Sequence, residues 1–475
     1  MVIKERKVMK KKALRAAALI TAALSLCSLA GCGTPSYEGF VYPDKKPSTL
    51  ADNKTEGWYI KRSPESIKPA AEKTLEVFTS DDGLCKIEKK KSYYDVTLDY
   101  EKGTPKEIGA AYAQAIKKAC PTYTKIIENY LFENIRAAFR ANIDNSALSE
   151  RVITLKNSLS DDYQQEIEGF AQEITDGERG IKENDRMSYE EVVLFNLLPD
   201  ALRASQCSTM TISGSKSATG HRITSRNLEW NLGSSNQICD GHCVVHFKNG
   251  EKSFTAVSFP GMFDVLTAVN DSDVMIGTLD VGSLYSSSFV TEGRNSYSFA
   301  LRYVMENCNS AKEAAQYLAE HSPEFTFNSN AFITDDKDAY CVEMVVSEQD
   351  GTPLVRDSST ELHDGLTWDD PECLCAVNSF AAKGNSDMLT ISNGNYVRWK
   401  KYNHLFCEEK QKITLSQYLE LLTCEKVEDS PVVNIRNNNL VHTVIADYDS
   451  HRLIALMTSK DGVKDEVSFI DLGSF

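Results

Sequence analysis

One stretch constrains this chain more than any other: residues 207–230, Cys-Ser-Thr-Met-Thr-Ile-Ser-Gly-Ser-Lys-Ser-Ala-Thr-Gly-His-Arg-Ile-Thr-Ser-Arg-Asn-Leu-Glu-Trp. Met210 and Ile212 alternate with hydroxyl residues, a Gly/Ser-rich turn follows, and a second alternating run leads from Ile223 to Trp230. Period-two alternation on both sides of a turn predicts a β-hairpin. It begins on a thiol, and its return strand carries Arg226 and Glu229. Everything before Cys207 then reads as targeting, tether or a segment that precedes a nucleophile.

Residues 1–31 have the form of a targeting segment. Lys4, Arg6, Lys7, Lys10, Lys11, Lys12 and Arg15 precede an apolar run, Ala16 to Ala30, that is short for a transmembrane helix. Leu29-Ala30-Gly31-Cys32 resembles a bacterial lipobox. That resemblance implies cutting before Cys32 and acylation of its thiol with a diacylglyceryl group. Two acyl chains, at ~0.8 kcal/mol per buried CH₂, anchor stably where one is marginal. The expected location is the outer face of the cell membrane. Residues 32–72 are rich in Pro, Ser, Lys and Asp and predict a disordered spacer. With its formal charge of −16, the chain is a poor nucleic-acid binder, because such binding runs on phosphate neutralisation by Lys and Arg.

Residues 73–206 read as a mainly helical segment. Thr104 caps a helix with Pro105 at its first position and Glu107 closing a capping box, and Ile108, Tyr112 and Ile116 recur at helical spacing. Further helices are predicted over 124–142 and 161–175, and from Ser188, where Glu191 closes a second box. One strand, 92–100, precedes them. From Cys207 onward the pattern changes to strands at 243–248, 252–259, 266–270 and 274–280. Helices at 297–307 and 310–320 come next, then strands at 330–334, 339–345 and 374–378. Helices at 396–408 and 414–423 lead to a final strand pair, 440–447 and 452–458. This order predicts an α+β sandwich with sheets inside and helices outside, residues 207–475 forming its core.

The chain has thirteen cysteines. Cys27 leaves with the targeting segment and Cys32 takes the lipid. Cys85, Cys120, Cys239, Cys243, Cys308, Cys341, Cys373, Cys375, Cys407 and Cys424 are expected to be buried or disulfide-linked, with pairing that sequence does not give. Cys239-Asp-Gly-His-Cys243 and Cys373-Leu-Cys375 would make a zinc site only if the two fragments met, with His242 as a further ligand. Without that, the sequence calls for no metal and no cofactor, and it contains neither a P-loop nor a dinucleotide fingerprint.

A thiol needs only modest activation to act as a nucleophile. None of the histidines stands in a recognisable cysteine-protease setting. The other route makes the cysteine the first residue of a chain, so that its own α-amine, with a pKa of ~7.7–8, serves as base. Arg226 would then favour the thiolate, and Glu229 would orient that arginine or the amine.

These residues carry a resemblance. Cys207-Ser-Thr, Gly220 and Arg226-Asn-Leu-Glu-Trp230 resemble the opening of the cysteine N-terminal nucleophile hydrolases. The likeness is nearest to the acyl-CoA:6-aminopenicillanic acid acyltransferase branch, with choloylglycine hydrolase and acid ceramidase as cousins. Asn196-Leu-Leu-Pro-Asp200, Thr104-Pro-Lys-Glu-Ile-Gly109, Ala300-Leu-Arg-Tyr-Val-Met-Glu306, Tyr340-Cys-Val-Glu343 and Ala376-Val-Asn-Ser-Phe380 extend it over residues 90–460. The resemblance implies a four-layer αββα fold and self-cleavage of the 206–207 bond, leaving an α/β heterodimer. It implies a thioester on Cys207 whose acyl group, from a linear N-acyl amide, passes to water or an amine. It assigns Cys207 as nucleophile, Arg226 and Glu229 as its charged partners, and Asn378 as a donor to the tetrahedral oxyanion. Substrate-binding positions would be Asn227, Asp280 and Arg398.

The chain departs from that pattern in places. Gln206 stands where glycine is common and Glu229 where aspartate is usual. Asp280 is near the place of an asparagine, and Ser392-Asn-Gly-Asn395 occupies the place of an arginine, with Arg398 three residues on. These departures leave a second class in view, a non-catalytic lipoprotein of the same fold that binds a ligand or cell-envelope component.

Overall fold

A computed structural model describes residues 58–59, 67–139, 144–202, 205–282, 293–364, 366–386, 393–408, 412–423, 425–426, 435–463 and 467–475. Residues 1–31, expected to be a targeting segment, Cys32 and Cys424 lie outside them. The first strands are β1 (Trp58–Tyr59), β2 (Glu76–Thr79), β3 (Cys85–Lys89) and β4 (Tyr94–Asp99). Helices α1 (Pro105–Ala119), α2 (Tyr123–Phe139), α3 (Asn145–Lys156), α4 (Asp161–Ile174), α5 (Tyr189–Asn196) and α6 (Leu198–Leu202) follow. The hairpin is β5 (Ser205–Ile212) and β6 (Ile223–Trp230), and then come β7 (Cys243–Lys248), β8 (Phe254–Ser258), β9 (Thr267–Asn270) and β10 (Met275–Asp280). Next are α7 (Tyr297–Asn307), α8 (Ala311–His321), β11 (Ser329–Thr334), β12 (Ala339–Met344), β13 (Leu354–Arg356) and β14 (Cys373–Ala376). The described chain ends with α9 (Asn393–Tyr402), α10 (Leu415–Leu421), β15 (Glu425–Lys426), β16 (Leu440–Asp447), β17 (Arg452–Met457) and β18 (Ile470–Ser474).

Two sheets carry the fold. One has ten strands in the order β13-β12-β11-β10-β9-β8-β7-β4-β3-β2, the other six in the order β14-β5-β6-β16-β17-β18. Val244, Val257, Val269 and Met275 of the first pack against Val444, Ala446, Leu453 and Ile470 of the second. Helices α9 and α10 cover the far face of the six-stranded sheet, setting Trp399, Tyr402, Tyr418 and Leu419 on Met210, Ile212, Ile223 and Ile445. Helices α1, α4, α7 and α8 cover the far face of the ten-stranded sheet. The architecture is therefore α+β, four layers deep, helix–sheet–sheet–helix.

The expected capping boxes at Thr104/Glu107 and Ser188/Glu191 are formed. Ser310 caps α8, but Glu313 turns its carboxylate to the Asn309 N–H instead of closing a box. In the outer layer α1 and α4 touch backbone to backbone. A Cβ on Gly109 would stand 2.0 Å from the Glu166 carbonyl oxygen, and one on Gly169 would stand 2.0 Å from that of Lys106.

Two expectations need adjustment. The segment ahead of Cys207 is mainly helical, but beside the expected strand at 92–100, present as β4, it adds β2 and β3, and all three belong to the ten-stranded sheet. β4 runs parallel to β7 over six registered pairs, Tyr94↔Cys243 to Asp99↔Lys248. Val96 and Leu98 are fully buried. Short alternation with charged residues, as in Cys85–Lys89, hid two of these strands. Nor does the spacer run unpaired to residue 72. Trp58–Tyr59 pairs with Glu425–Lys426, Ile67 is buried under α10, and Ala70 bridges Ile470. The N-terminal segment thus clasps both sheets of the core.

Candidate active site

β14 pairs with β5 only as far as Ala376 opposite Thr209. One step on, Cys207 turns its N–H and C=O to a side where no strand continues, and side chains complete the ladder. The Cys207 N–H donates to Asn378 Oδ1 at 2.6 Å, and Arg398 Nη1 donates to the Cys207 carbonyl at 3.1 Å. The thiol stands on the face of β5 that looks toward the ten-stranded sheet. Arg226 Nη2 lies 3.2 Å from Sγ and 2.8 Å from the Thr278 carbonyl on β10.

Strand parity places the remaining residues. Along β6, Arg226 faces the other sheet, whereas Asn227 and Glu229 face α9 and α10. Glu229 therefore does not orient Arg226. Both its oxygens accept from Arg398 Nη1, at 2.8 and 2.9 Å. Arg398 is 2% exposed and also donates through Nη2 to Asn378 Oδ1 (3.1 Å) and Asn395 Oδ1 (2.7 Å). Asn227 donates to the Ile435 carbonyl at 3.2 Å and accepts from Thr443 at 2.7 Å. Asn227 and Arg398, expected on a substrate surface, are instead buried and bonded within the protein. Asp280 ends β10 half-buried, and its backbone carbonyl accepts from Asn378.

The Asn378 carboxamide is oriented by its neighbours. Two donors, the Cys207 N–H and Arg398, converge on its oxygen, and this fixes which way the amide faces. Its Nδ2 donates to the Asp280 carbonyl at 2.7 Å. Asn378 thus accepts from the Cys207 N–H, and one of its own two N–H groups goes to the Asp280 backbone carbonyl.

Charge in the site is unbalanced. Burial lowers the Arg226 guanidinium from its ordinary range, and its Nε and Nη1 have no protein partner among the described residues. Burial raises the Glu229 carboxyl, with Arg398 and an Asn437 hydrogen bond opposing it. Glu229 is taken up by Arg398, so Arg226 is left facing the thiol. A buried cation is costly without a counter-charge, and the arrangement favours a thiolate or oxyanion at Sγ.

Sequence gave no sign of the groups that support Arg226. A Cβ on Gly277 would come within 2.6 Å of Arg226 Cγ, while Thr278 and Sγ hold the tip of the side chain. Gly277→Ala is expected to displace the guanidinium from the thiol and lower kcat by ~10-fold or more, with the fold retained. Steady-state kinetics beside a thermal melt checks this. Asn395, one helical turn before Arg398, was also missed as a partner; the i,i+3 spacing of two polar residues in a largely buried helix was the available signal.

Behind the site, His442 lies across Leu228 from Cys207 in the sheet, and its ring stands 5.7 Å from that of His242. Burial pushes His242 down to about 4 and His442 well below the ordinary histidine range. Unfolded histidines titrate near ~6.5, so below that pH the unfolded chain takes up protons that the folded pair refuses. The stability held by the neutral pair is present above about pH 6.5 and lost as pH falls toward about 4. The urea midpoint is expected to drop between pH 7 and pH 5, and His442→Leu to shrink that drop. An unchanged drop in the variant removes the pair as its source.

No cysteine among the described residues is in a disulfide. Cys239 and Cys243 belong to the large core cluster under the ten-stranded sheet, and Cys373 and Cys375 to the cluster beneath α9 and α10, so the two fragments do not meet. Among the described residues no helix is long and apolar enough to cross a membrane.

Fold and site together define a two-sheet α+β sandwich with a buried thiol at the head of an inner strand. No family model and no curated protein matches the chain. Among solved structures it is similar to a Caenorhabditis elegans ortholog of N-acylethanolamine-hydrolyzing acid amidase, with 16% identity over 50% of this chain and 92% of that one and a TM-score of 0.37. It is also similar to a mutant of conjugated bile acid hydrolase from Clostridium perfringens (9% identity, 56% of this chain, 92% of that one, TM-score 0.35). Penicillin V acylase from Agrobacterium tumefaciens is a third (12%, 56%, 86%, TM-score 0.29). At these scores the architecture rests on this chain's own strand order and layers.

Proposed function

We propose that the chain is a cysteine amidohydrolase of the N-terminal nucleophile kind, which cuts its own 206–207 bond and then takes the acyl group of linear N-acyl amides onto Cys207. One observation carries the reading. A thiol at the head of an inner strand has its backbone N–H on Asn378 Oδ1, and its sulfur lies beside the otherwise unbalanced guanidinium of Arg226. After the cut that N–H belongs to an α-amine. The amine, still held by Asn378, is the base that takes the thiol proton, and Arg226 supports the thiolate and the oxyanion that follows. Arg398 holds the head of β5 against Glu229. The acyl group then passes from the thioester to water or an amine.

The lipid expected on Cys32 would tether the N-terminal piece to the outer face of the membrane. The catalytic piece would stay with it as a noncovalent heterodimer, because β4 is parallel-paired to β7 within one sheet. Neither Cys85 nor Cys120 is in a disulfide. A rapid-quench experiment with p-nitrophenyl esters and N-acyl amides tests the chemistry. Intact mass should show a transient acyl adduct on the piece that starts at Cys207. Turnover with the adduct on another residue would sink the proposal.

A further inference from the structure

In the uncut chain the bond to be broken sits in a regular ladder. Cys207 turns its backbone groups away from β6, as does Ser213, whose N–H reaches Glu372 just ahead of β14. On β6, Trp230 donates its N–H to Asn439, on the β16 side. Backbone groups alternate in direction along a strand, so the registered pair Gln206↔Glu229 is a hydrogen-bonded pair. The Glu229 N–H faces the Gln206 carbonyl, and the Glu229 carbonyl faces the Gln206 N–H. Peptide planes lie close to the plane of a sheet, and side chains stand off it. The Cys207 side chain therefore stands off the sheet on one face of the Gln206 peptide plane, while Glu229 faces the carbonyl oxygen within the sheet.

We infer that Ser205–Gln206 marks the acyl site, and that the acyl group taken there is an α-amidoacyl group, that of a peptide or an N-acylated amino acid. This rests on Cys207 being the self-cutting nucleophile. In the cut, Sγ bonds to the Gln206 carbonyl carbon, the C–N bond breaks, and the thiol proton ends on the Cys207 nitrogen. Water then hydrolyses the thioester, leaving a Gln206 carboxylate and a free thiol. A substrate amide repeats both steps with its own carbonyl in the Gln206 position and its amine as leaving group.

The thiol is 0% exposed in the uncut chain, so an external acyl group reaches it only by taking the place of the strand end that precedes it. That place offers one donor and one acceptor, both from Glu229. An α-amidoacyl group satisfies the two at once. A plain fatty acyl group supplies the carbonyl alone and sets methylene groups against the Glu229 carbonyl, leaving a buried acceptor without a partner.

The test compares kcat/KM of the full purified protein on three p-nitroanilides: acetyl-Ser-Gln, the same compound with its Gln nitrogen methylated, and decanoyl. The first is expected to exceed each of the others by at least tenfold, since methylation replaces the donor to the Glu229 carbonyl with a methyl group set against it. Decanoyl turnover as fast as the first, methylation without effect, or no turnover of any by a chain that has cut itself would overturn the inference. A chain that is uncut at 206–207 and never acylated on Cys207 would instead overturn the reading of that residue as the nucleophile.

Discussion

A Cys207→Ala chain is expected to be isolated in one uncut piece and to lose turnover by ~10⁴-fold or more, since the nucleophile serves both the cut and the acyl transfer. Folding should survive. The site is closed around the side chain, and exchanging one sulfur for hydrogen in a packed interior costs on the order of 1 kcal/mol. Gel mobility under denaturing conditions, with an activity assay and a melt, reads all three. A Cys207→Ala chain that still appears as two pieces, or still turns over substrate, removes Cys207 from the mechanism.

Arg398 yields the second large effect. Its guanidinium joins the Cys207 carbonyl, Glu229, Asn378 and Asn395, all of them buried or nearly so. Arg398→Ala leaves Glu229 buried without its cation, a loss of about 3–5 kcal/mol by analogy with other broken buried pairs. It also frees the head of β5, so turnover should fall with stability. The double variant Arg398→Leu, Glu229→Leu separates the two effects. Apolar replacement of a buried pair is often neutral for stability, so its denaturant midpoint should recover most of the loss. Activity should not recover, because nothing then holds the Cys207 carbonyl. Recovery of both would mean that the pair serves stability alone.

The sequence showed the hairpin and most strands of the core because strands covered on both faces read as runs of β-branched and apolar residues set off by Gly, Asn and Asp. Cys243–Lys248 and Leu440–Asp447 were legible to the residue. The capping residues Thr104 and Ser188 marked helix starts for the same local reason. What stayed hidden was pairing over long range. Nothing local in Glu76–Thr79 or Cys85–Lys89 says that they extend a sheet begun more than a hundred residues later, and α3 carries too weak an apolar stripe to stand out. At the site, the sequence singled out Cys207, Arg226, Glu229 and Asn378, with Arg398 expected at the substrate, and the structure brings all five together. Their partners were not, because whether Glu229 meets Arg226 or Arg398 depends on which face of β6 each occupies and on where α9 docks. Gly277 matters only through its closeness to Arg226, which no spacing reveals.

The central claim is that Cys207 becomes a chain terminus. Intact mass of the purified wild-type protein under denaturing conditions tests it most directly. Two species are expected, the larger beginning at Cys207, that co-elute on a sizing column under native conditions. A single uncut chain whose Cys207 resists alkylation and acylation would contradict it.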